Sequence, residues 1–136
     1  MNVTGLRWID VPFSRDGRGD LSVIERATTS FTIKRLFYMH RVPGGVARGG
    51  HAHPYTQQLV VPVAGQLRLK LSDGIRWDAV SLDDPNRGLF LPRMTWTELL
   101  DFSESAVTLV VCDTEYVATD VIRTWDAFLA AAEVHS

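Results

Sequence analysis

The stretch that decides how this chain folds is Arg48-Gly49-Gly50-His51-Ala52-His53-Pro54-Tyr55-Thr56-Gln57-Gln58, and Gly65 ends the apolar run after it. His51 and His53 are two residues apart, so on a β-strand their rings share one face, roughly 7 Å apart. Two imidazoles in one cavity can carry protons near neutral pH. The glycines let the backbone approach a ligand closely, and Arg48 can bring a positive charge to a phosphate or carboxylate. The stretch therefore predicts a proton-transfer site on a strand.

A structural role for each histidine, or a metal site, is the alternative interpretation. A single strand histidine is commonly a hydrogen-bonded structural residue, although a His-x-His pair fits that role less well. The spacing also resembles the first metal-binding motif of the cupins, but Gln58 stands at the place of the acidic ligand. Thr97 stands where a second cupin motif would supply another histidine. Because amides and hydroxyls bind first-row metals poorly, we predict a cupin-like pocket without a metal.

Length and composition limit the class of protein. The chain has 136 residues, which predicts one domain over residues 1–136. Its net charge of −2 argues against nucleic acid as a partner. No apolar run approaches the roughly 20 residues that span a bilayer, and the first residues lack a signal-peptide pattern, so we expect no membrane insertion or export. Cys112 is the only cysteine and has no disulfide partner, which fits a cytoplasmic location.

Short apolar or alternating segments follow one another along most of the chain. The predicted strands are 6–13, 21–25, 31–42, 58–63, 67–71, 77–82, 88–92, 96–100 and 106–112. Residues 14–20 are predicted to be a solvated turn, and Asp73-Gly74 to be the turn of a hairpin. Pro62 lacks an amide hydrogen, which predicts a bulge or an edge position. Strands at this spacing without intervening helices are typical of a closed antiparallel barrel or jelly roll.

The end of the chain has a different periodicity. From Asp120 the apolar residues recur at helical spacing, at Ile122, Trp125, Phe128 and Leu129. Thr119 or Asp120 could cap a helix there. The predicted fold is therefore all-β, a cupin-like antiparallel jelly-roll barrel with one C-terminal helix.

Five segments together resemble one known family. They are 33–38, 48–53, 88–92, 96–99 and 119–123, and they are similar to the WxcM-like sugar 3,4-ketoisomerases, which act on dTDP-4-keto-6-deoxyglucose. The resemblance implies a cupin-type jelly roll, a homodimer with strand exchange and no cofactor. It also implies a dTDP-linked keto-deoxysugar as the substrate.

The reaction that the resemblance implies suits histidine. The carbonyl at C4 of the sugar acidifies the hydrogen at C3, so a base can remove it to form an enediolate, and reprotonation at C4 leaves the ketone at C3. Such a reaction needs proton carriers with a pKa near neutral and donors for the developing oxyanion. We predict that His51 moves the carbon-bound proton, and that His53, with Tyr38 nearby, handles the protons on O3 and O4.

The predicted substrate-binding residues add charge and shape around these histidines. Arg48 is expected to contact the diphosphate, with help from Arg18, Arg35 and Arg123. The remaining members of the predicted binding set are Gln58, Trp96 and Thr97.

Three positions depart from the family pattern. Phe37 and Val121 stand where the family commonly has tyrosine, and Thr97 stands where it has histidine or arginine. In the family that the chain resembles, an arginine at the place of Arg18 goes with the galacto configuration at C4 of the product, where histidine follows the tryptophan. This chain has Arg18 but Thr97, so the two indicators disagree, and from Arg18 we expect the galacto product. Two other functions remain open, a sugar 3,5-epimerase and a non-catalytic cupin-like module that binds nucleotide sugars.

Overall fold

The chain, described over residues 1–135 by a computed structural model, consists mostly of antiparallel strands. The strands are β1 Arg7–Asp10, β2 Phe13–Asp16, β3 Gly19–Ser22, β4 Arg35–His40, β5 Arg48–Ala52, β6 Gln58–Ala64, β7 Leu67–Ser72, β8 Trp77–Leu82, β9 Arg87–Leu91, β10 Trp96–Leu100 and β11 Val107–Cys112. The helices are α1 Arg26–Thr29 and α2 Trp125–His135, and a single 3₁₀ turn spans Ala118–Asp120.

Two sheets enclose the main core. One sheet has the order β1-β9-β6-β11-β4, the other has the order β5-β10-β7-β8, and β2 pairs only with β3. Leu67, Leu69 and Leu71 of β7 are buried in the core while the intervening Arg68 and Lys70 are exposed, as strand alternation requires. The same core cluster includes Val60 and Val110 of the facing sheet, among other residues of both sheets. The predicted cupin-like jelly roll is confirmed.

Two smaller apolar clusters cover the outer faces. Val11, between β1 and β2, and Phe31, shortly after α1, pack against the five-stranded sheet. At the other sheet, Phe128 of α2 is fully buried with Trp96 and Ala52. Each sheet therefore buries both faces over part of its area.

The predictions at Pro62 and at Asp73-Gly74 are also confirmed. The register between β6 and β11 shifts next to Pro62, which pairs with Thr108, while Ala64 pairs with Val107. On its other side β6 pairs with β9 only as far as Val60, so Pro62 interrupts no ladder there. Residues 73–76 form the turn between β7 and β8.

Residues 14–20 form a hairpin, so their prediction as a solvated turn was wrong. Residues of β2 and β3 pair from Phe13 with Ser22 to Asp16 with Gly19, which leaves a turn of only two residues. The amide of Arg18 donates to the Asp16 carboxylate at 2.8 Å, closing that turn. Both faces of the hairpin are exposed, so its sequence lacks the alternation of apolar and polar residues that predicts a strand. Its charged side chains instead resemble those of a turn.

The strand predicted over residues 31–42 is shorter at both ends. Ser30, just before the predicted range, and Arg41, within it, have positive φ values of 65° and 56°, and the pairing with β11 runs only from Arg35 to His40. The first follows α1, a single helical turn that the sequence pattern did not predict. Strand β4 therefore covers Arg35–His40 only.

The C-terminal helix is confirmed, but its predicted start was wrong. The backbone of Ile122 exchanges two hydrogen bonds with Ala52, at 2.9 and 3.0 Å, which keeps the chain extended there. The helix begins at Trp125, and the hydroxyl of Thr124 accepts a hydrogen bond from the amide of Ala127. Thr124, not Thr119 or Asp120, is thus the capping residue.

Over residues 1–135 no helix combines the length and the apolar character needed to cross a membrane.

Candidate active site

His51 and His53 lie side by side at one end of the barrel. Their ring centroids are 4.8 Å apart and their planes are nearly perpendicular, at 88°. The distance is shorter than the sequence spacing predicts because β5 ends at Ala52, so His53 follows the strand. His51 lines an inner cavity of about 80 Å³ that also contacts Phe37, Gln58 and Thr97.

His53 lines a second space, the mouth recess. This recess has a volume of about 70 Å³ and lies between the loop that follows β5 and the segment that follows β11. Its lining includes Arg35, Tyr55, Gln58 and Tyr116. Gln58 belongs to both the inner cavity and the mouth recess, so the two spaces meet at its side chain.

The glycines before the histidines shape the strand against its neighbour. Gly49 and Gly50 have φ values of 85° and 72°, and the pairing of β5 with β10 shifts register between Thr97 and Glu98. A Cβ at Gly49 would lie 2.7 Å from the Thr97 carbonyl oxygen, whereas one at Gly50 would meet nothing within 4 Å. Gly49 therefore permits close approach to β10, whereas the sequence analysis expected the glycines to permit close approach to a ligand.

Both histidines are held neutral at physiological pH. Burial lowers the pKa of His51, and the charges of Arg123 and Arg48 act in the same direction, against a hydrogen bond with the backbone of Gly49. Burial also lowers the pKa of His53, to about 4, with further lowering by His51, Arg35 and Arg123. A neutral imidazole can accept a proton, so either ring can act as a general base.

Three arginines supply positive charge around this pair. Arg48 lines the inner cavity, and Arg35 lines the mouth recess. The guanidinium of Arg35 lies 4.6 Å from both the Phe37 and the Tyr116 ring centroids, and Arg123 donates to the Tyr116 hydroxyl at 2.9 Å. In the described chain none of the three forms a salt bridge, although Glu115 and Asp120 also line the recess. An anionic ligand could therefore pair with them without displacing an acidic partner.

Gln58 and Thr97 present polar groups at the inner cavity. Gln58 is only 8% exposed, and its amide donates to the Cys112 sulfur at 3.5 Å. Burial raises the pKa of the Cys112 thiol, which keeps it protonated and poorly nucleophilic. The hydroxyl of Thr97 donates to the Thr95 carbonyl at 3.4 Å.

Three sequence-predicted site residues lie away from the histidines. Tyr38 is on the outer face of β4, 59% exposed, because strand alternation puts it opposite Phe37. Trp96 points away from the cavity for the same reason and packs against Trp125 and Phe128 of α2. The expectations that Tyr38 and Trp96 belong to the site therefore need correction. Side chains alternate between the two faces of a strand, and both residues lie on the face opposite the pocket.

Arg18 is the third of these residues. Its side chain is 91% exposed at the turn of the β2–β3 hairpin, where it pairs with Asp16. The structure of one chain thus does not bring Arg18 to the histidines.

No three His, Cys, Asp or Glu side chains of residues 1–135 come close enough together to hold a metal ion. His51 and His53 would supply two nitrogen ligands, and their neighbours Gln58 and Thr97 are weak ligands for first-row metals. A metal-free site stays a prediction.

Several residues at the site carry no recognisable sequence signal. Tyr116 lies in an irregular segment where periodicity says nothing, yet it contacts both Arg35 and Arg123. Arg93 and Asp113 form a salt bridge at 3.2 Å beside the loop that follows His53. These two are 20 residues apart in sequence, so only the folded chain reveals the pair.

The chain is similar to known proteins over nearly its whole length. Residues 4–133 match the family model described as FdtA: WxcM-like, C-terminal. The chain is 38% identical over 114 residues to a TDP-4-oxo-6-deoxy-alpha-D-glucose-3,4-oxoisomerase of Aneurinibacillus thermoaerophilus, covering 83% of this chain and 82% of that protein.

Two solved structures have nearly the same fold. QdtA, a sugar 3,4-ketoisomerase from Thermoanaerobacterium thermosaccharolyticum in complex with TDP, superimposes with a TM-score of 0.94 at 29% identity, over 98% of each chain. A 3,4-ketoisomerase from Helicobacter canadensis gives a TM-score of 0.91 at 30% identity, over 95% of this chain and 98% of that one.

Proposed function

The chain belongs to the FdtA family of WxcM-like C-terminal proteins and is an isomerase of the 3,4-ketoisomerase kind, and we propose that its substrate is TDP-4-keto-6-deoxyglucose. The product is then the TDP-linked 3-keto-6-deoxyhexose. The observation that carries this proposal is the pair of histidines with lowered pKa, whose rings are 4.8 Å apart, beside three arginines that form no salt bridge within residues 1–135.

The reaction requires two proton transfers at carbon and an exchange of protons on oxygen. Neutral His51 takes the hydrogen from C3, and the electron pair moves toward the C4 carbonyl, giving an enediolate. His51 then returns a proton to C4, so that the ketone ends at C3. Its place in the inner cavity, whose lining is mostly apolar, supports this role, because partial burial lowers the pKa of His51 and favours the unprotonated base.

His53 is assigned the proton exchange between O3 and O4, and Gln58 is assigned the stabilisation of the oxyanion. Tyr38 is on the other face of β4, so a role for its hydroxyl within one chain has no support. His53 borders the mouth recess and can relay a proton between the two oxygens. Gln58 lies where the two spaces meet, and an amide donor there can stabilise the oxyanion as charge develops.

The diphosphate is expected near Arg48, Arg35 and Arg123. Each of these arginines lowers the pKa of at least one of the two histidines, which means that each is close enough for its charge to act at the site. The TDP complex of the similar QdtA supports a nucleotide diphosphate as the ligand.

A second copy of the chain is expected to complete the site. The two spaces measure about 80 and 70 Å³, well below the roughly 300 Å³ of a typical small-molecule site. The β2–β3 hairpin exposes Phe13 and Leu21, and a homodimer that exchanges it would bury them and could bring Arg18 to the partner. Leu21→Glu should then yield monomers in sedimentation measurements, while wild-type monomers would contradict the dimer.

We expect one domain over residues 1–136, supported by the family match across residues 4–133. We also expect activity without metal or cofactor, and a cytoplasmic location.

The test of this function is NMR of the product formed from TDP-4-keto-6-deoxyglucose. A ketone at C3 is the expected result, and the coupling of the C4 hydrogen distinguishes the galacto product, which we expect from Arg18, from the gluco product. A ketone that stays at C4 with inverted neighbouring carbons would identify a 3,5-epimerase instead. Binding of TDP-4-keto-6-deoxyglucose without any change in its sugar would identify a non-catalytic module.

A further inference from the structure

We propose that Arg93 and Asp113 are positioning residues that hold His53 in place through the loop of residues 54–57. This inference rests on the proposed function, since it assigns a role in the same site. Neither residue lines the inner cavity, and neither belongs to a strand.

The loop of residues 54–57 connects β5 to β6 and has no ladder partner of its own. Its backbone is held from two directions. From one side the amide of Met94 donates to the His53 carbonyl at 2.9 Å, and Arg93 Nε donates to the Tyr55 carbonyl at 3.3 Å. Both donors belong to the turn between β9 and β10.

From the other side the loop is held by the segment after β11. One oxygen of the Asp113 carboxylate accepts a hydrogen bond from the Gln57 amide at 2.8 Å, and the other accepts one from the Gln57 side chain at 2.9 Å. The amide of Asp113 also donates to the Gln57 carbonyl at 3.2 Å, and the hydroxyls of Thr56 and Thr114 are 2.6 Å apart.

The Arg93–Asp113 salt bridge joins these two sets of contacts. Arg93 Nη2 donates to the same Asp113 oxygen that accepts from Gln57, at 3.2 Å. The Asp113 side chain is only 10% exposed, whereas Arg93 is 54% exposed. Because Arg93 is half exposed, its ion pair is expected to contribute at most about 1 kcal/mol to the free energy of unfolding. The nearly buried Asp113 carboxylate, which accepts from Gln57 and Arg93, fixes the position of the loop.

The loop matters because the site residues His53 and Gln58 stand at its two ends. His53 precedes the loop and Gln58 follows it. A shift of the loop therefore changes the distance between the His53 ring and the Gln58 side-chain amide. A misplacement of about 1 Å at a reacting group can cost on the order of a hundredfold in rate. Arg93 and Asp113 thus act through His53 without touching the substrate.

The test uses Asp113→Asn and Arg93→Met, with Arg68→Met as the matched control. Asparagine keeps an acceptor for the Gln57 amide but turns an NH₂ toward the other two donors. Arg68, in strand β7 away from the loop, is 52% exposed, which is close to the exposure of Arg93, and it forms a salt bridge with Asp101 at 3.8 Å. We expect kcat to fall about tenfold to a hundredfold in both test variants, TDP affinity to stay within about twofold, and the control to behave as wild type.

A second readout needs no turnover and separates position from charge. The pKa of His53, followed by NMR titration of the free protein, should rise from its low value in both variants, because a loosened loop admits water to the ring. A purely electrostatic role predicts opposite signs, since loss of Asp113 removes a negative charge and loss of Arg93 removes a positive one. The other titratable or charged groups that the variants leave unchanged near His53 are His51, Arg35, Arg123, Glu115 and Asp120.

Arg93→Lys serves as the conservative variant. Lysine can pair with Asp113 but cannot also reach the Tyr55 carbonyl with a second donor, so partial recovery of kcat and of the His53 pKa is expected. Shifts of opposite sign, or wild-type titration of His53 in both variants, would overturn the positioning role. Because this titration needs no substrate, its outcome is independent of whether the protein isomerises TDP-sugars.

Discussion

At the residue scale, His51 and His53 have different surroundings although they are two positions apart. His51 faces an inner cavity with few polar groups, and His53 faces the mouth recess beside Arg35. Burial is the first cause of the lowered pKa at both rings. We therefore assign the carbon-bound proton to His51, at the inner cavity, and the protons on oxygen to His53, at the mouth recess.

Arg48→Ala tests the charge at the inner cavity. Loss of a charge-assisted hydrogen bond should raise KM about tenfold or more and weaken TDP binding similarly. The dependence of binding on salt should also decrease, because one cation no longer contributes. Titration of TDP by calorimetry at two ionic strengths measures both effects, with Arg68→Ala as the control. Unchanged TDP affinity would mean that the diphosphate binds elsewhere.

The chemistry of single residues was partly readable from the sequence. Five predicted site residues do line the two spaces: His51, His53, Arg48, Gln58 and Thr97. Their positions lie in one short motif or on the strand face that points to the pocket. Tyr38 was misassigned although the alternation of β4 could have excluded it: Arg35 and Phe37 share one face, and only that face meets the pocket. Tyr116 and Asp113 could not be predicted, since irregular segments have no period.

At the element scale, the bulge in β5 sets the position of the histidines. Gly49 has a φ of 85°, and its neighbour across the strand pair is the backbone of β10. Gly49→Ala should lower the free energy of unfolding by about 2 kcal/mol or more, because the added methyl group meets both backbone strain and the Thr97 carbonyl.

Gly50→Ala is the matched comparison, because it has a similar φ of 72° but open space around a Cβ. It should cost about 1 kcal/mol, the backbone strain alone. Denaturant unfolding of both variants measures the difference. Equal losses would show that the close approach to β10 has no energetic consequence.

Element types followed from sequence pattern more reliably than element ends. The strands with clean alternation, such as β7, and the helix α2 were predicted because their side chains meet one buried face. The sequence pattern predicted neither the start of α2 nor the β2–β3 hairpin. Backbone hydrogen bonds between Ile122 and Ala52 keep the chain extended, so the helix begins later than predicted. The hairpin has no buried face, so its sequence shows no apolar periodicity.

At the scale of the whole molecule, the buried histidines couple folding to pH. The pKa of His53 is about 4 in the folded chain, below its usual 6.5, so the unfolded chain binds more protons between these values. Stability is therefore full above about pH 6.5 and is lost as the pH falls toward 4. The lowered pKa of His51 acts in the same direction.

This prediction is measured as the unfolding midpoint in urea from pH 7 to pH 4. His53→Gln should flatten that dependence, since the variant removes a titrating group while keeping a polar side chain. A His53→Gln profile that matches wild type would mean that this histidine does not lose its proton on folding.

The central claim is that His51 carries the carbon-bound proton, and deuterium exchange at C3 tests it most directly. TDP-4-keto-6-deoxyglucose labelled with deuterium at C3 is incubated with wild type, His51→Asn and His53→Asn, and NMR follows the loss of label from C3. Wild type should remove the label and form the 3-keto product. His51→Asn should slow this removal by about 10² to 10⁴ while TDP affinity stays near wild type, and His53→Asn should slow product formation more than label removal. Label removal that persists in His51→Asn and is abolished in His53→Asn would contradict the assignment.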